Sequence, residues 1–240
     1  MSGKSFLKLS TKTPLLGGWG PYLKLLLTSN FLFRRSTPPS MIDLTGGQPD
    51  LTPEWIPWMM EALNTKGLNE KIFLWSDDNL SNDYFWKYLS QSEIESICNY
   101  TMYARVCCFK GIDAESFSLN TKANPELFDN QFILFKRLLD LGIDLYSYIT
   151  ITANTSTNFD NAIPLLLDKL QKIDEMLPLR TVPLQILEFL PMKDRMNEVF
   201  RDMIQGQYKA LEVWQKELQR RFSQVQLHLP ITEITLGKRR

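Results

Sequence analysis

Short apolar runs alternate with longer amphipathic segments along most of this chain, a pattern that restricts it to roughly five repeated βα units on a parallel sheet. Met41-Ile42-Asp43-Leu44-Thr45 reads as a strand opening into the turn Gly46-Gly47-Gln48-Pro49. Thr52 then predicts a helix cap with Pro53 in the first position, apolar Ile56, Met59, Met60 and Leu63 on one stripe, and Gly67 as terminator. Lys71 to Trp75 reads as the next strand and Ser76-Asp77-Asp78-Asn79 as a polar loop. Ser90-Gln91-Ser92-Glu93 is a capping box, opening a helix that carries Ile94, Ile97 and Cys98. Met102 to Phe109 is the third strand. Asn124-Pro125-Glu126 starts a helix with Phe128, Phe132, Phe135 and Leu139 inward and Gly142 at its stop. Ile143 to Thr152 is the fourth strand. A leucine-rich helix from Ala162 to Leu177 leads into a fifth, Val182 to Phe189, with Pro183 near its beginning. Beyond it, Ile204, Tyr208, Leu211, Trp214, Leu218 and Phe222 mark a long amphipathic helix, and Val225–Leu236 reads as a final strand.

With 240 residues, 44% of them hydrophobic and 22% charged, the chain is long enough to bury a full core. Twenty-seven acidic and 27 basic residues cancel, so no single-sign field favours nucleic acid. The apolar stretch Tyr22–Phe33 is interrupted by Lys24 and by Thr28-Ser29-Asn30, which argues against a bilayer span and against a signal peptide. Three cysteines, two of them adjacent, make a disulfide framework improbable and a reducing cytoplasm the expected compartment. Neither a P-loop nor a G-x-G-x-x-G is present.

Gly46-Gly47-Gln48-Pro49 after a strand resembles the Gly-Gly-Glu-Pro turn of the radical S-adenosylmethionine family. Tyr103-Ala104-Arg105-Val106-Cys107-Cys108-Phe109-Lys110-Gly111, with Glu115-Ser116-Phe117, Thr121, Pro125-Glu126-Leu127-Phe128 and Leu138 to Gly142, is similar to that family's fourth barrel strand and helix. The resemblance covers roughly 41–192. It implies an α/β fold, a partial (β/α)6 TIM-like barrel of parallel strands with a missing or degenerate first strand. It also implies S-adenosylmethionine as cofactor, held at Gly46, Gly47, Gln48 and Pro49, with Lys110 meeting its carboxylate and Asn79 matching a polar position near it. Two departures stand out. Gln48 replaces the glutamate and gives up a charge-assisted bond. The Cys-x₃-Cys-x₂-Cys loop that ligates the family's [4Fe-4S] cluster should precede Gly46, and residues 1–45 contain no cysteine.

The chain's own residues leave alternatives open. Phe6-Leu7-Lys8-Leu9 reads as a first strand, with Thr13–Gly20 its loop and Tyr22–Phe33 its helix; otherwise residues 1–40 are unrelated sequence left by a truncation or frameshift. The segments then divide as 1–40, a barrel core at 41–192, and a C-terminal helix and strand at 193–240. Cys107 and Cys108, as strand neighbours, point to opposite faces, Cys98 packs on a helix, and His228 is the single histidine, so no metal site is expected. Catalytic residues stay unassigned, as do the substrate, whether small molecule or peptide, and any activity. Asp77, Asp78 and Glu188 near strand ends keep a carboxylate-dependent hydrolase or lyase in view, and a non-catalytic scaffold barrel is the other alternative. Arg105, mid-strand, calls for a partner, with Asp43 and Glu188 the candidates, unless it binds substrate. Tyr84-Phe85-Trp86-Tyr88 and Trp55/Trp58 read as core and inter-helix packing.

Overall fold

The computed structural model describes residues 6–9, 39–45, 48–187 and 198–237. It is an α/β fold. Six strands, β1 (Phe6–Leu9), β2 (Met41–Leu44), β3 (Phe73–Asp78), β4 (Tyr103–Lys110), β5 (Leu145–Thr150) and β6 (Thr181–Leu184), follow one another in the sheet in sequence order. The pairs β1–β2, β2–β3, β3–β4 and β5–β6 are parallel. The expected first strand at Phe6 therefore forms and covers the edge of β2, whereas the expected loop and helix at 13–33 lie outside the described residues, as do Gly46, Gly47 and Glu188.

The chain divides into two compact units, Met1–Cys107 with Leu141–Leu145, and Cys108–Asp140 with Tyr146–Arg240. In the first unit, β2 ends in a 3-10 turn, Pro49–Leu51, before α1 (Trp55–Thr65). Ile56, Met59, Met60 and Leu63 are buried as their spacing requires, and Gly67 takes φ +64° beyond the helix end. Thr52 does not cap this helix. It accepts the amide of Trp55 through its carbonyl, in a turn that delays the helix by two residues.

β3 runs through Asp78, so the expected Ser76–Asn79 loop is strand for three of its four residues. Cross-strand bonds explain this: the Ser76 hydroxyl lies 2.7 Å from that of Tyr103, and Asp78 meets Arg105, giving each polar side chain a partner on an adjacent strand. α2 (Tyr84–Tyr88) follows, then α3 (Gln91–Cys98), whose Ser90–Glu93 capping box is formed. Trp55 and Phe85 are core as expected; Tyr88 is 47% exposed and is not.

In the second unit, Asp113 and Ser116 form a capping box that opens α4 (Ala114–Thr121), a helix without an apolar stripe. Asn124 caps a 3-10 turn at Pro125–Leu127 rather than the helix itself, and α5 (Asn130–Asp140) buries Leu139 and packs Phe132 and Phe135 against Phe109 of β4. α6 (Phe159–Ile173) buries Ile163, Leu166, Leu167 and Leu170. Pro183 sits inside β6, at the end of the strand order where a missing amide is tolerated.

α7 (Glu198–Arg221) is the long helix, but its buried residues are Met203, Gly206, Gln207, Ala210, Val213 and Trp214. Tyr208 is 51% exposed, and only Trp214 and Phe222 of the expected stripe are buried. No strand forms at Val225–Leu236. Ser223 caps α8 (Gln224–Leu227) by a capping box with Gln226, and Pro230 opens a 3-10 turn at Ile231–Glu233. Among the described residues, no helix is long and apolar enough to cross a membrane.

Candidate functional site

Alternation along parallel strands sorts the first unit's side chains onto two faces. Leu44, Ser76 and Arg105 are in register on one face; Asp43, Trp75 and Ala104 are in register on the other, with Asp77 beside Val106. The Arg105 guanidinium stacks over the Phe85 ring of α2 at 5.1 Å, so its face is the helix-covered one.

That helix side is a polar staple. Arg105, 1% exposed, donates from Nε to Asp78 Oδ2 at 3.0 Å and again from Nη2. Burial alone would lower the guanidinium pKa, but the Asp78 carboxylate, with the Tyr103 phenol and the Cys107 thiol, raises it above its ordinary value. The other Asp78 oxygen accepts the amide of Leu80 at 2.7 Å, holding Leu80 at φ +52°. Asp50 joins from the 3-10 turn, accepting from Asn82 Nδ2 at 2.8 Å and from the Ser81 hydroxyl at 3.1 Å. Burial first, and the Asp78 charge second, push the Asp50 carboxyl above the usual carboxylate range, with Arg105 opposing them. Gln48 Nε2 donates to the same Ser81 hydroxyl. The segment Gln48–Asp50 after β2 is thereby tied to Ser81–Asn82 after β3, at the carboxyl ends of two parallel strands, where α/β sheets place their ligands.

Asp43, Thr45, Trp75 and Asp77 occupy the opposite face. Asp43 and Thr45 are buried and Asp77 half-buried, and the Thr45 hydroxyl donates to Asp77 Oδ2. Asp43 and Asp77 thus share one face of β2 and β3 with the Thr45 hydroxyl near the strand ends, a concentration of acidic groups with Trp75 on the same face.

Asp77 and Asp78 part company here, because strand neighbours project to opposite faces. Arg105 finds Asp78, not Asp43, and Glu188 lies outside the described residues. Among the residues expected to hold cofactor, Gln48 and Pro49 belong to the tied segment, Asn79 directly follows Asp78 and is half-buried, and Gly46 and Gly47 lie outside the described residues. Lys110 belongs to the second unit. Its ammonium donates to Cys108 Sγ at 2.9 Å, and its backbone amide and carbonyl are both bonded to the Gln131 side chain. Sequence alone does not put Asp43 and Thr45 on one face with Asp77, because that parity exists only once Ser76–Asp78 is strand, where the composition of Ser76–Asn79 predicts a loop.

The residues present do not fit a [4Fe-4S] cluster. Cys98 is on a helix, Cys107 is fully buried, and Cys108 is directed to the other face of β4 and to Lys110. Among the described residues, no group of three His, Cys, Asp or Glu side chains could hold a metal ion. No family model matches this chain, and no curated protein matches it.

Proposed function

We propose that this chain is a radical S-adenosylmethionine-like partial (β/α)6 barrel that binds S-adenosylmethionine in the cytoplasm and, lacking cluster ligands, does so without radical chemistry. The observation that carries the reading is the acidic strand face of Asp43, Thr45 and Asp77, whose Thr45 immediately precedes the Gly46-Gly47-Gln48-Pro49 motif in the sequence. A sulfonium and an ammonium on one ligand match two carboxylates at such a strand end. In this reading backbone carbonyls of Gly46 and Gly47 accept from the ligand's ammonium, while Gln48 and Pro49 complete the motif, with Gln48 and Asp50 each bonded to the Ser81 hydroxyl. When bound, S-adenosylmethionine supplies a sulfonium-activated carbon. The carboxylate-dependent hydrolase is disfavoured by the same geometry, since Asp78 is spent on Arg105.

Titration calorimetry tests the reading. With no cluster to anchor the amino-acid head, the expected dissociation constant is about 10⁻⁴ M, equivalent to about 5.5 kcal/mol. Gly47→Val should abolish binding. Submicromolar binding, or binding unchanged by that substitution, would contradict the proposal.

A further inference from the structure

We infer that Cys108 and Lys110 form a peroxide-responsive pair in the second unit, in which the lysine amine captures the oxidised cysteine as a reversible sulfur–nitrogen crosslink. The inference stands apart from the strand-end site. The two residues are two apart on β4, so they project to the same face of the strand. β4 is buried from Tyr103 through Cys107 and again at Phe109, and is half-buried at Cys108 and Lys110. Cys108 is thus the cysteine of this strand open to a small oxidant, whereas Cys107, on the opposite face, is fully buried. Gln131 bonds both backbone groups of Lys110, and the Gly111 amide donates to the Thr150 carbonyl at 3.0 Å, which fixes the origin of the lysine side chain. The Lys110 ammonium lies 2.9 Å from Cys108 Sγ, and among the described residues that sulfur is its one hydrogen-bond partner.

Hydrogen peroxide is the co-reactant. The Cys108 sulfur attacks one peroxide oxygen, an S–O bond forms as the O–O bond breaks, and water leaves; sulfur is oxidised to the sulfenic acid and peroxide is reduced. A sulfenic acid condenses with a nearby nucleophile, a second thiol or a nitrogen. Cys107 is turned to the other face, so no thiol on this strand competes with the amine. The Lys110 amine, after losing one proton to solvent, attacks the sulfur: an N–S bond forms, the S–O bond breaks, and the departing hydroxide takes a second amine proton and leaves as water. Thiol, amine and peroxide thereby give the crosslink and two waters. A thiol reductant attacks the same sulfur, releases the amine and restores both side chains.

The full chain, treated with hydrogen peroxide, denatured, alkylated and digested with trypsin, is the test. Trypsin does not cut after a modified lysine, so the peptide Val106–Lys110 should give way to one running from Val106 to Lys122. That peptide should weigh about 2 Da less than its unmodified sequence and be alkylated at Cys107 alone. Dithiothreitol should restore both cleavage and the Cys108 thiol. Lys110→Arg keeps the positive charge, but its guanidinium is not a nucleophile, so Cys108 should remain a sulfenic acid that dimedone traps. Cleavage after Lys110 undiminished by peroxide, loss of two thiols as a Cys107–Cys108 disulfide, or a crosslink at Cys108 that survives Lys110→Arg would overturn the inference.

Discussion

Arg105 is the most constrained charge in the first unit, and its environment dictates how the chain responds to substitution. Its partner Asp78 is 6% exposed, and Phe85 covers the guanidinium. Removing one member of a buried pair strands the other, so Arg105→Met should cost about 3–5 kcal/mol in chemical denaturation, while Arg105→Met combined with Asp78→Leu should recover much of the loss. A double variant no more stable than the single would show that the pair is not the interaction being lost. Asp50 makes a pH-dependent prediction. Its folded pKa is raised, so the native state binds the proton more tightly than the unfolded chain; this contribution is complete below the ordinary aspartate value and is lost as pH rises through the higher folded value. Asp50→Asn removes that loss, and its stability relative to wild type should therefore improve as pH rises from the ordinary aspartate range toward neutrality, read by denaturation at several pH values. A difference that stays flat or reverses would remove burial as the cause. At this scale the sequence showed that Arg105 needed a partner but not which one. The answer depended on whether Ser76–Asp78 was strand, and composition alone reads Ser-Asp-Asp-Asn as a turn.

Two helices of the second unit use the same device. Gln131 on α5 accepts the amide of Lys110 at 2.7 Å and donates to its carbonyl, and Gln207 on α7 does the same for Ile186 at 2.8 and 2.7 Å. A side-chain amide presents an N–H donor and a carbonyl acceptor side by side, so each glutamine satisfies both backbone groups of a residue at or just past a strand end where the ladder runs out. Gln131→Leu and Gln207→Leu preserve bulk but orphan both backbone groups, and each should cost about 1–3 kcal/mol in unfolding free energy. α7 approaches closely beside Gln207. A Cβ on Gly206 would fall far inside contact distance of the Ala153 carbonyl, so Gly206→Ala should destabilise by about 1–3 kcal/mol, where an open helix site would gain stability from alanine. A melting temperature that rises in Gly206→Ala would refute this packing. These bonds also explain why the buried stripe of α7 differs from the one its apolar spacing predicts. Apolar periodicity points to Ile204, Tyr208 and Leu211, but the inward face combines Met203, Val213 and Trp214 with Gly206, Gln207 and Ala210, three small or polar residues that hydrophobicity does not select. The Ser90 and Asn124 caps were legible because their chemistry is local.

Across the whole molecule, the order of strands and helices followed from the sequence because βα alternation and Gly or Pro punctuation repeat unit by unit. The final strand did not, since alternation in Val225–Leu236 is outweighed by the Ser223 cap and Pro230. The candidate site was half legible: the Gly46-Gly47-Gln48-Pro49 motif was plain in the sequence, while Asp43 and Thr45 needed a register that only pairing supplies. Iron and sulfide supplied anaerobically should leave the chain without a cluster, as measured by stoichiometric iron and visible absorbance, because its three cysteines are on a helix and on opposite faces of one strand. The central claim, an acidic strand end that binds a sulfonium ligand, is tested most directly by comparing S-adenosylmethionine with S-adenosylhomocysteine, which lacks the positive sulfur. Calorimetry should give about tenfold tighter binding to S-adenosylmethionine, about 1.4 kcal/mol, and Asp77→Asn should narrow that preference to about threefold or less. Equal affinities in the wild-type chain, or a preference that Asp77→Asn leaves intact, would contradict it.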